Sequence, residues 1–100
     1  MIPKADDIPR VEVATEEERP GGWSYLVLIH RDNGAASHTV TLSWRDHDYW
    51  CGGASAPSRV VQALIEFVLR HESPPLPARF DAARIRRWLP QVDHELRGVI

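Results

Sequence analysis

The densest cluster of chemically able side chains lies between Trp44 and Gly53, in the run Trp44-Arg45-Asp46-His47-Asp48-Tyr49-Trp50-Cys51-Gly52-Gly53. Carboxylate, imidazole and thiolate all bind zinc, so Asp46, His47, Asp48 and Cys51 invite a metal reading. No C-x-x-C or H-x-x-x-H pair fixes a geometry here, and neighbours on an extended loop point in opposite directions. Cys51 with one of the five histidines raises a second idea, a thiol nucleophile with Gly52 and Gly53 N–H groups as oxyanion donors. No third group to orient the pair can be named. A small metal or thiol enzyme at Asp46–Cys51 therefore stands only as an alternative, and no catalytic residue, metal or cofactor is assigned. The plainer expectation is a polar connection in which Tyr49 and Trp50 anchor against the core or a partner, as these residue types do at interfaces.

A second cluster is cationic. Arg79, Arg84, Arg86 and Arg87 gather before and on a helical segment, with Trp88 beside them. Guanidiniums grip phosphates and an indole stacks on a base, so Arg79, Arg84, Arg87 and Trp88 form the candidate set for nucleic acid. Asp81, Asp93 and Glu95 offset the charge locally, and the chain as a whole carries a formal net charge of −2. That balance gives no global attraction to nucleic acid or to an anionic membrane.

The elements that would hold these groups follow from periodicity. Residues 1–9 carry no pattern and read as a flexible N-terminus; 10–100 read as one domain, a size that buries a core without staples. Val11 to Thr15 alternates as a short strand, and Glu16 to Gly22 reads as a charged turn. Trp23 to His30 is rich in aromatic and β-branched residues and reads as the central strand. Arg31-Asp32-Asn33-Gly34 signals a hairpin, with Asn-Gly supplying positive φ. Ser37 to Arg45 alternates again, His38, Val40, Leu42 and Trp44 on one side. Asp46 to Pro57 reads as a loop. Ser58 to His71 has the helical spacing Val61, Leu64, Ile65, Val68, with Ser55 or Ser58 as its cap. Pro74, Pro75 and Pro77 stiffen a connector. Asp81 is the natural N-cap of a second helix to Leu89, and Gln91 to Arg97 forms a last turn. The expected fold is α+β: a three-stranded antiparallel meander followed by two helices (βββαα) packed on one face.

The segments Val60–Leu69, Leu76–Asp81 and Ile85–Pro90 resemble a pattern in short uncharacterised bacterial proteins. That resemblance implies a compact β-then-α domain and no chemistry.

One cysteine permits no internal disulfide, and no segment has the length of a spanning helix, so the expectation is a cytoplasmic protein without membrane contact. The central strand is apolar on both sides: Trp23, Tyr25, Val27 and Ile29 on one, Leu26 and Leu28 on the other. One helical layer covers one face only. The expected function is thus a non-enzymatic protein-interaction or self-association module, a homodimer or a subunit of an assembly. Its patch is read as Trp23, Tyr25, Leu26, Leu28, Asp46, His47, Asp48, Tyr49 and Trp50.

Overall fold

The structure is a computed structural model that describes residues 9–71 and 75–100. The proposed N-terminal tail (apart from Pro9) and part of the proline connector therefore lie outside the described residues. The first strand, β1 (Arg10–Arg19), pairs antiparallel with β2 (Gly22–Arg31), and β2 pairs antiparallel with β3 (Gly34–Ser43). This is the expected meander. A fourth strand, β4 (Arg79–Asp81), was not anticipated; it adds in parallel to β3 and makes the sheet mixed, in the order β1-β2-β3-β4.

The first hairpin differs from expectation in extent. Glu16, Glu17 and Glu18 belong to β1 rather than to a turn, since each finds a ladder partner on β2. An edge strand tolerates charge because one of its sides meets only water. The turn is Pro20–Gly21 alone, with Gly21 at φ +82°, where proline presets the first angle and glycine takes the second. A register shift between Val13 and Thr15 leaves Ala14 as a bulge. At the second hairpin only Gly34 takes positive φ (+130°); Asn33 does not, so the Asn-Gly pair works through its glycine alone.

Two helices follow β3. α1 (Trp44–Cys51) replaces the loop expected there, and α2 (Pro57–Leu69) is the expected central helix. Ser43 Oγ caps α1 by accepting from the Asp46 N–H at 3.0 Å, and Gly52 closes it at φ +60° with its N–H on the Asp48 carbonyl. α2 starts at Pro57 after Ala56, with no side-chain cap, so neither Ser55 nor Ser58 plays that part. The second expected helix is shorter than its pattern suggested. Phe80 lies in β4, Ala82–Arg84 is a 3-10 turn, and α3 is only Ile85–Trp88. Asp81 does cap this segment, its carboxylate accepting from the Ala83 N–H at 2.9 Å. α4 (Val92–Leu96) ends the fold.

One core results. Tyr25, Val27, Ile29, Val40, Leu42 and Phe80 from one face of the sheet meet Val60, Val61, Leu64, Ile65, Phe67 and Val68 of α2. Ile85, Val92 and Leu96 close its end. Leu26 and Leu28 point away from this cluster, on the outer face, and are half-buried. Among the described residues no helix is long and apolar enough to cross a membrane.

Candidate functional site

The run from Trp44 to Cys51 is now a two-turn helix, and helical geometry sorts its side chains. At roughly 100° per residue, Trp44, Arg45, Asp48 and Tyr49 fan over about 140° of the outward side. All four are exposed, Trp44 at 60% and Tyr49 at 47%. The opposite side carries Asp46 (7%) and Trp50 (2%), both buried. Asp46 and Trp50 therefore cannot meet a partner as the sequence reading had it. Tyr25, fully buried in the core, is excluded from a contact patch for the same reason.

Buried Asp46 and Trp50 are engaged within the chain. Arg86 of α3 donates from Nη1 to Asp46 at 2.9 Å and from Nε to Asp93 of α4 at 2.8 Å. Trp50 Nε1 donates to the same Asp93 oxygen at 2.8 Å. Partial burial acts to lower the Arg86 pKa, yet its hydrogen bonds to Asp93 and Asp46, with the charges of both carboxylates, outweigh it and hold it above the ordinary value. The Arg86 guanidinium also lies 4.5 Å from the Trp50 ring centre and 4.8 Å from that of Tyr49. Arg97 stacks on Tyr49 as well, at 4.5 Å, and donates to its carbonyl at 3.3 Å. Tyr49 is thus exposed and yet held by two guanidiniums, in the manner of an aromatic fixed by cation–π contacts. A hollow of about 290 Å³ opens beside it, lined by Arg45, Asp46, Tyr49, Arg86 and Asp93.

His47 and Cys51 turn toward the following loop. His47 Nε2 donates to the Ser55 carbonyl at 2.7 Å, and its ring meets Trp23 edge-on with centroids 5.3 Å apart. The Cys51 thiol donates to the His47 carbonyl at 3.3 Å and lies 3.7 Å from the Ser55 carbonyl. These contacts hold the α1–α2 connection. Among the described residues no three His, Cys, Asp or Glu side chains come close enough to hold a metal ion.

No protein-family model, curated protein or solved structure matches this chain.

The cationic set is divided by the fold. Arg79 stands opposite Thr39 on the outer face of the sheet, whereas Arg84 and Arg87 are exposed on the 3-10 turn and α3. Trp88 packs on the Phe80 ring at 5.8 Å, which takes much of its surface from a stacking base. Arg86, which is not in that candidate set, is the residue that joins α1, α3 and α4. Trp44 is the exposed aromatic that the strand assignment hid. Its signal was the Ser43-x-x-Asp46 capping pattern, which starts a helix at Trp44 and turns that residue outward.

Proposed function

We propose that this protein is a non-enzymatic self-association module whose contact surface is the outward side of α1, and that its partner is a second copy of the same chain. The observation that carries this reading is the self-complementary order Trp44, Arg45, Asp48, Tyr49. A two-fold axis passing between Asp46 and His47 sets two α1 helices antiparallel. Trp44 of each copy then faces Tyr49 of the other, and Arg45 faces Asp48 of the other. Closed two-fold contacts need a patch that matches itself in this way. Among the described residues neither Arg45 nor Asp48 has an ion-pair partner.

Energetics favour the same surface. Trp and Tyr are the side chains that anchor interfaces, and Tyr49 is ordered in advance by Arg86 and Arg97, so binding costs less side-chain entropy. The Pro20–Gly21 turn adjoins Trp44, whose N–H donates to the Gly21 carbonyl at 2.9 Å, and supplies a rim. The sheet is the weaker surface. Leu26 and Leu28 are half-buried among Thr15, Ser37 and Thr39, and the β1 edge is blunted by its bulge and its glutamates.

Light scattering over a dilution series tests the reading. The wild type gives twice the 11.4 kDa chain mass at high concentration and falls toward one chain on dilution. Trp44→Glu gives the single-chain mass throughout, with an unchanged circular dichroism spectrum. A wild type that stays at one chain mass at millimolar concentration overturns it.

A further inference from the structure

The outer face of the sheet offers a second, separate feature. A depression of about 460 Å³ is lined by Arg19, Ser24, Thr39, Thr41, Arg79 and Phe80. The strand register explains why the polar members converge. Ser24 stands opposite Thr41, and Thr39 stands opposite Arg79, so one hydroxyl row and one guanidinium share a face. Arg19 belongs to β1 and Arg79 to β4, the two edges of the sheet. Three strand spacings, about 14 Å, separate those edges, and the ladder sets Arg19 (level with Ser43) four residues, about 13 Å, along the strands from Arg79 (level with Thr39), so the two long side chains reach toward one another diagonally over the face.

We infer that this depression binds the phosphoryl group of a phosphate monoester. Guanidiniums present paired N–H donors that match a tetrahedral oxyanion, and charge-assisted bonds of this kind are the strong ones. The hydroxyls of Ser24 and Thr39 add donors from the floor. Two carboxylates border the site, and both have donors of their own. Asp81 accepts from Thr41 Oγ1 at 2.8 Å and from the Ala83 N–H. Glu17 pairs with Arg19 at 2.8 Å, but both side chains are more than half exposed. An exposed pair of that sort is weak enough for Arg19 to exchange it for a dianion. Arg79 has no ion pair among the described residues. The open mouth leaves room for the ester's remaining group, which meets a largely apolar lining that includes Phe80, while the guanidiniums and hydroxyls take the charged end. This site goes beyond the self-association reading and shares no residue with it.

The test is a titration of the full chain with inorganic phosphate, followed by amide NMR shifts, beside sodium chloride at matched ionic strength and beside acetate. The expected result is a saturable set of shifts at Ser24, Thr39, Thr41 and Arg79, with α1 unmoved. Arg79→Gln weakens binding at least tenfold, and Thr39→Val weakens it too, each with an otherwise unchanged spectrum. The inference is overturned if chloride reproduces the shifts, if acetate binds equally well, if the shifts spread evenly to Arg84 and Arg87, or if Arg79→Gln leaves them intact.

Discussion

Arg86 places Nη1 2.9 Å from Oδ1 of Asp46, across forty residues of sequence. That contact fixes the register of α1 against the C-terminal helices, and with it the direction in which Trp44 and Tyr49 face. Asp46 is buried, so its charge depends on Arg86 for compensation. Removing one member of such a pair costs more than the pair contributes, because the other is left charged without a partner. Arg86→Met is expected to destabilise the fold by on the order of 3 kcal/mol, read as a lowered urea midpoint with an unchanged slope. A change under a few tenths of a kcal/mol would mean that α1 is held by packing alone.

Gly22 is fixed by close approach. A Cβ there would collide with the Leu42 carbonyl oxygen and crowd Ser43 Cα, both backbone atoms that cannot rotate away. Gly22→Ala is expected to cost on the order of 1–3 kcal/mol, as overpacking does elsewhere. Gly53→Ala makes the comparison: it has open space but a φ of +82°, so its cost comes from backbone strain alone and is expected near 1 kcal/mol. Thermal melts of the two variants separate the effects.

Tyr25 is buried, and its hydroxyl donates to Glu16 at 2.7 Å. Burial first, and then the Glu16 hydrogen bond and charge, push its pKa well above the ordinary 10.0. The folded state therefore keeps a proton that the unfolded chain releases. Stability from this group is complete below the unfolded value and declines as pH rises beyond it, by up to ~1.4 kcal/mol per pH unit. Urea midpoints of wild type and Tyr25→Phe measured from pH 9 upward check this. The wild type is expected to be more stable by about 1 kcal/mol at pH 9, with the advantage shrinking as pH rises. A constant difference would contradict the assignment.

Much of this architecture is legible in the residues. The alternation over Trp23–His30 and Ser37–Ser43, and the helical stripe from Val61 to Val68, each reflect burial on one face, which is a local pattern. α1 was hidden because Trp44 and Arg45 continue the alternation of β3, and a two-turn helix is too short to display a period. Its two end signals, Ser43 with Asp46 and Gly52 as the left-handed cap, are chemical rather than periodic. β4 was hidden for a different reason. Three residues have no strand pattern of their own, and Arg79–Asp81 is extended only because β3 offers its edge, a long-range pairing that local propensity does not encode.

The same division holds for the functional surfaces. Asp48 and Tyr49 of the proposed contact surface stand in the patch expected from the sequence, whereas Trp44 required knowledge of where β3 stops. The sequence groups Arg79, just before the expected second helix, with Arg84 and Arg87 on it. The parallel register of β4 moves Arg79 to the outer sheet beside Thr39, into a different site.

The pairing of Arg45 with Asp48 across two copies is the most exposed point of this account, and a charge exchange tests it directly. Arg45→Asp alone and Asp48→Arg alone each set like charges against one another and are expected to give the single-chain mass by sedimentation equilibrium. The double variant, Arg45→Asp with Asp48→Arg, restores opposite charges at both contacts and is expected to recover twice that mass. Failure of the double variant to recover association, or association unaltered by either single change, contradicts the two-fold α1 contact.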